Sequence, residues 1–201
     1  RALFRGIDRA DSITLDAHKW LFQPFEAGCL LVRDVRDLER AFVVHPEYLQ
    51  DAQLGMEHVN FADRGLQLTR SFRALKVWMS VQTFGLAAFR RAVARGIELA
   101  DRAAAYVSGS TTLELLCPAS LGVVCFRFNP PDRTMDAAAL ERLNEAVQAR
   151  VIDSGTAMMS STRLKGVYAL RLCILAHHST WRDVEETLQA IEGFGREALT
   201  A

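Results

Sequence analysis

Asp16-Ala17-His18-Lys19-Trp20 concentrates groups that could do chemistry. A lysine just past a buried strand, at the start of a loop, can be held in a cleft. Partial desolvation lowers the pKa of such an amine and makes it nucleophilic. A Schiff base to an aldehyde cofactor is then within its reach, and His18 beside it can contact an anion. The same five residues also describe an exposed lysine next to a packed tryptophan, and spacing alone favours that plainer reading.

Other reactive groups are scattered. Arg171 alternates with Ala169 and Cys173 on one face of a strand-like run, while Tyr168, Leu170, Leu172 and Ile174 fill the other. A guanidinium so placed can clamp a carboxylate through its fork, or can make a structural ion pair. His177 and His178 are adjacent, so on an extended chain they point apart. No cysteine or acidic residue stands at ligand spacing from them, and no metal site is expected. They are placed in the turn before the last helix. Residues 45–65 are polar, mixed and aperiodic, with Pro46 near the start. A loop of that length is usually functional or mobile. His45, Tyr48 and His58 lie in or beside it.

These residues need elements to position them. Residues 12–16 and 28–32 read as short buried strands around a connection with Pro24 at its turn. Residues 34–42 read as a short helix. Phe72, Leu75 and Met79 share a helical face, Gly85 interrupts, and Phe89, Val93, Ile97, Ala100, Ala104 and Val107 continue the stripe. That is one long amphipathic helix or a kinked pair, ending near Gly109. Strands are expected over 113–116 and 122–128, stopped by Asn129-Pro130-Pro131. A helix carries Leu140, Leu143, Val147 and Val151. Two more strands are expected over 156–161 and 167–175, with a turn at Lys165-Gly166. Thr180 with Asp183 forms a capping signature that opens a last helix bearing Val184, Leu188 and Ile191. Strand, strand, helix, strand, strand, helix is the order of a compact α+β module, and the boundary is expected near residue 109.

Composition excludes several classes. At 201 residues, 50% hydrophobic and 24% charged, the sequence is that of a globular chain. Lys plus Arg equals Asp plus Glu at 24 each, so a generic electrostatic nucleic-acid binder is not expected. No apolar run approaches the roughly 20 residues of a membrane span. Cys29, Cys117, Cys125 and Cys173 each sit in an apolar run without a CxxC pair, which predicts buried free thiols in a reducing, cytoplasmic setting. The chain starts at Arg1 and is soon in a strand-like run, so a fragment lacking its N-terminal portion is expected.

Residues 10–33 resemble the cofactor-lysine region of the group II pyridoxal-phosphate-dependent amino-acid decarboxylases, the family of the aromatic-amino-acid, glutamate, histidine and diaminobutyrate enzymes. The family pattern there is Asn or Asp, usually Pro, then His-Lys-Trp; Ala17 stands at the proline position. Leu68-Thr69-Arg70-Ser71-Phe72-Arg73-Ala74-Leu75-Lys76-Val77-Trp78 is similar to the family's Arg-x-Phe-Arg-x-Leu-Lys-x-Trp helix start. Residues 121–127 and 170–174 are similar to two of its small-domain strands. The order and rough spacing agree over nearly the whole chain.

The resemblance implies an α/β chain of the aspartate-aminotransferase-like fold, fold type I. Residues 1–109 would end the large cofactor domain with its connecting helices, and 110–201 would be the small C-terminal α+β domain. Lys19 would bind pyridoxal phosphate as a Schiff base. His18 would touch the cofactor phosphate, Asp16 would lie nearby, and Thr69 would reach the phosphate of a neighbouring subunit. Arg70, at a helix start where anions are favoured, and Arg171 would bind substrate. Pro46-Glu47-Tyr48-Leu49 resembles the family's mobile catalytic loop, so Tyr48 would protonate the α-carbon after CO2 leaves. A homodimer with interface active sites is implied for the whole protein. The family's pyridine-nitrogen Asp and ring-stacking His precede the lysine and are not in this sequence, so turnover by this chain alone is not expected. The alternatives are another fold type I reaction, such as transamination or carbon–carbon cleavage, and a truncated, non-catalytic dimerising fragment.

Overall fold

The computed structural model describes residues 2–44, 59–131 and 135–200. They divide into two compact units, residues 1–83 and 84–201. Residue 109, where the sequence places a boundary, is the last residue of a helix.

In the N-terminal unit, β1 (Ser12–Asp16) and β2 (Gly28–Val32) pair antiparallel, from Ser12 opposite Val32 to Asp16 opposite Gly28. Helix α1 (Arg36–Phe42) follows, and a 3-10 turn spans Phe61–Arg64. The two strands are largely exposed rather than buried as their apolar runs suggest. Among the described residues of this unit, the fully buried ones are Ala17, Gln23 and Ala27, all in the loop that joins the strands.

Helical run α2 (Arg73–Gly109) is broken at Gly85, whose φ of 74° and ψ of 153° are not helical. A side chain there would be strained, which is why glycine marks the interruption.

The C-terminal unit has a closed core. Its four-stranded antiparallel sheet runs β3-β4-β6-β5, from β3 (Leu113–Leu115), β4 (Val123–Phe128), β5 (Ser160–Leu164) and β6 (Val167–Cys173). Helices α3 (Ala137–Asp153) and α4 (Trp181–Ala198) pack on one face. Val124, Phe126, Phe128, Leu170, Val147, Val151, Leu188 and Ile191 are sealed there, with Val107 of α2. The expected capping signature is a full capping box: Thr180 and Asp183 satisfy each other's backbone N–H groups. Buried Asn144 accepts from Phe128 N and donates to the Phe128 and Leu140 carbonyls, so it carries no unmet polar group into the core.

Two further expectations need correction. The strand expected over 156–161 lies at Ser160–Leu164. Lys165 and Gly166, both at positive φ, close a tight hairpin with Leu164 opposite Val167, and that turn fixes the register. The cysteines are free, but only Cys125 is buried; Cys117 is half-buried, and Cys29 and Cys173 are exposed. No helix among the described residues is long and apolar enough to cross a membrane.

Helix α4 lies tightly against the sheet at Gly195. A Cβ there would stand 2.5–2.7 Å from three carbons of the Phe128 ring, whereas one at Gly193 would meet nothing within 4 Å. Gly195→Ala is therefore expected to cost about 1–3 kcal/mol by overpacking. Gly193→Ala on the same helix should stabilise by up to about 1 kcal/mol through helix propensity. Urea midpoints of the two variants should move in opposite directions; a shared direction would sink the packing argument.

Glu192 ties α4 to the end of α2 and to the turn that leads into β3. Its carboxylate accepts from Ser110 Oγ at 2.5 Å, Thr112 Oγ1 at 2.8 Å and Tyr106 Oη at 3.1 Å. Burial alone would raise its pKa, but these three donors outweigh burial and hold it below the usual 4.5. A carboxylate depressed by folding contributes stability that is complete above its unfolded value and lost as pH falls through its folded one. Glu192→Gln should lower the urea midpoint at neutral pH and weaken its decline on acidification. A decline as steep as in the parent protein would show that the acid sensitivity arises elsewhere.

Candidate active site

The loop after β1 is shaped by its own backbone. Ala17 N donates to Ala27 O at 2.8 Å and Gln23 N to Ala17 O at 3.1 Å, which closes residues 17–27 into a compact excursion. A proline at position 17 would have no N–H for the first of these bonds. Ala17 thus adds a link across the base of the loop, two residues from Lys19.

Three contacts strap this loop to the start of α2 within the same unit. The Gln23 side-chain amide exchanges hydrogen bonds with Ser80 Oγ at 2.8 and 3.1 Å. Lys76 Nζ donates to Pro24 O at 2.9 Å, and Arg73 pairs with Glu26. The Arg73 guanidinium holds the Glu26 carboxyl below its ordinary range. Arg73 and Lys76 belong to the motif that carried the resemblance, yet no role was expected for either. Gln23 gave one weak signal, a polar residue between apolar neighbours.

On this base, Lys19 projects outward. Its Nζ lies 2.6 Å from Asp16 Oδ2, and its side chain is 68% exposed. The described residues of this unit therefore do not form the expected desolvating cleft around it. Asp16 is held below the usual carboxylate range by the hydrogen bond and charge of the Lys19 ammonium. The amine must leave this pair and lose a proton before it can attack a carbonyl.

His18 is oriented from behind. Its Nδ1 accepts from Ala27 N at 3.1 Å, and its ring meets Phe25 edge-on. A nitrogen that accepts carries no proton in the neutral ring, so Nε2 carries it and can donate to an anion. An amine nucleophile next to an N–H donor suits an aldehyde that carries a phosphate, so the donor set fits pyridoxal phosphate. The Trp20 indole N–H is sealed from solvent with no acceptor among the described residues.

The other expected residues are placed as follows. Thr69 and Arg70 are exposed just ahead of α2. Arg70 lies 5.1 Å from the Phe61 ring centroid and has no carboxylate partner among the described residues. Tyr48, His45 and His58 lie outside the described residues. Arg171 is in the C-terminal unit, on β6 opposite Cys125 and Ser160. It donates to Ser160 Oγ at 3.3 Å and, among the described residues, makes no ion pair. Its charge is not committed to a structural salt bridge. His177 and His178 stack edge-to-face in the turn before α4. No group of three metal-ligating side chains occurs among the described residues.

Comparison with known proteins extends this geometry. Residues 1–129 match the model of the pyridoxal-dependent decarboxylase conserved domain. An aromatic-L-amino-acid decarboxylase from Bacillus atrophaeus is 39% identical over 197 residues, covering 98% of this chain and 41% of that protein. A histidine decarboxylase from Drosophila melanogaster is 36% identical over 184 residues, covering 92% and 20%. The crystal structure of Oryza sativa TDC with PLP and tryptamine superimposes with a TM-score of 0.89 at 26% identity, covering 97% of this chain and 40% of that one. The chain thus spans about two-fifths or less of these relatives' length, and over that span it has the expected fold.

Proposed function

The chain belongs to the pyridoxal-dependent decarboxylase family, and on that premise we propose that the protein carrying it converts an L-amino acid to its amine and CO2. The observation that carries this reading is the strapped loop, which bears the Lys19 amine paired with Asp16 and, one residue before it, His18 with Nδ1 occupied and Nε2 left to donate. Pyridoxal phosphate, when bound, supplies an aldehyde for amines and a ring that takes up the electron pair left by CO2.

The chain's residues take the remaining tasks. Lys19 holds the cofactor and yields its place to the substrate amine. Asp16 keeps the Lys19 side chain aligned while it is protonated. His18 donates to the phosphate, and Thr69 donates to that of the partner subunit in a homodimer. Arg171 and Arg70 orient the substrate through its carboxylate. Tyr48 delivers the proton to the α-carbon. Residues 1–109 serve the cofactor domain and 110–201 the small domain, in a cytoplasmic enzyme.

Borohydride trapping tests this reading. The full-length protein is incubated with pyridoxal phosphate, reduced, digested and mapped by mass spectrometry. A pyridoxyl group on Lys19 is the expected result. Label absent, or scattered over surface lysines, would overturn the assignment and favour a non-catalytic dimerising role.

A further inference from the structure

We propose that Ser160 is a positioning residue for Arg171: its hydroxyl tethers one end of the guanidinium and so turns the free edge toward a substrate carboxylate. The inference rests on the substrate-binding role proposed above for Arg171. Leu170 and Leu172, on either side of Arg171 in β6, belong to the core under α3 and α4. Arg171 therefore projects from the other face of the sheet. Cys125 of β4 and Ser160 of β5 stand opposite it. The Cys125 sulfur is a weak acceptor, whereas Ser160 offers a hydroxyl oxygen. Arg171 Nη1 donates to Ser160 Oγ at 3.3 Å. Both residues are half-buried.

An untethered arginine samples many rotamers, and ordering it on a ligand costs affinity. A hydrogen bond from Nη1 removes part of that freedom before the ligand arrives. It leaves the Nε and Nη2 hydrogens for a carboxylate, whose two oxygens match that edge of the fork. Arg36 meets Asp34 through the same edge, with Nε 2.9 Å from Oδ1 and Nη2 2.6 Å from Oδ2. The tether is also neutral. An aspartate or glutamate at position 160 would hold the guanidinium more tightly but would compete with the substrate for its charge. A serine orients the group and leaves the charge to the ligand.

The test uses the full-length holoenzyme. The substrate is the amino acid that releases CO2 fastest in a screen of the common L-amino acids, and its amine is the carboxylate-free control. Ser160→Ala should raise KM roughly 3–10-fold, the range for leaving one long side chain unordered. The value of kcat should change by less than about twofold. Inhibition by the amine should stay as in the parent, because the amine has no carboxylate for Arg171 to grip. Ser160→Thr, which keeps the hydroxyl, should restore the parent KM, and Ser160→Val, its match in shape without the hydroxyl, should not. Equal KM values for the threonine and valine variants would overturn the inference, and so would amine inhibition that weakens in step with KM. Arg171→Lys separates the two levels. If it raises KM while Ser160→Ala does not, the tether is wrong and the role of Arg171 stands. If neither raises KM, the substrate-binding role fails and the tether with it. A screen in which no amino acid releases CO2 overturns the decarboxylase reading and this inference together.

Discussion

Lys19→Ala should lower amine formation by roughly 10³-fold or more, because a covalent anchor for the cofactor cannot be replaced by a methyl group. In the cofactor-free protein the same change should leave the melting temperature close to the parent's, since it removes one exposed side chain and one exposed ion pair. That separation gives the experiment its force. The loop beneath Lys19 is held by Ala17, Gln23 and Ala27 and by straps from Arg73, Lys76 and Ser80, none of which touches the amine. CO2 release and thermal melting are measured on the same full-length preparation. A rate within tenfold of the parent, at unchanged melting temperature, would show that Lys19 is not the anchor. A large drop in both would mean that the fold had failed and that the rate says nothing about the anchor; Lys19→Arg, which keeps the charge beside Asp16, then decides.

Tyr48→Phe should cut amine formation by about 10²–10⁴-fold, the usual contribution of a positioned general acid. The distinguishing sign is in the products. Without the tyrosine hydroxyl to direct the proton to the α-carbon, a share of turnovers should be protonated on the cofactor side. Each such turnover yields CO2 and a carbonyl compound and leaves the cofactor aminated. Activity should then decay during the assay and recover when fresh pyridoxal phosphate is added. An unchanged ratio of amine to carbonyl product would remove Tyr48 from the reaction.

Much of the fold is written in local sequence, and the exceptions have causes. Strand β1, the Thr180–Asp183 cap and the stop at Gly109 follow from turn residues and periodicity, which act over a few positions. Strand β5 does not. Its Ser-Ser-Thr-Arg sequence lies on the sheet edge and has no apolar alternation, while Ala157-Met158-Met159 before it looks more strand-like and is loop. Pairing with β6 through the Lys165-Gly166 turn decides, and pairing is not local. At the site, the motif picks out Lys19 and His18, but the residues that hold their loop are distant in sequence. Gln23 meets Ser80, and Glu26 meets Arg73. The exposure of Lys19 agrees with the plainer reading of its spacing; the expected cleft comes from the motif, and a short strand followed by His-Lys-Trp gives no account of what surrounds the amine.

β6 is hydrogen-bonded on one side to β4 and on the other to β5, and Arg171 sits in its middle, facing Cys125 and Ser160. Amides in such doubly flanked strands exchange with deuterium only in the largest openings of a domain. The Arg171 backbone should therefore be among the last in the C-terminal unit to take up deuterium, well after edge strand β5. Positional scatter at a carboxylate-gripping guanidinium would then come from its own rotatable bonds and scarcely from the polypeptide beneath it. Under the role proposed for Arg171, shortening that reach to lysine would change selectivity among substrates by geometry, without loosening the platform.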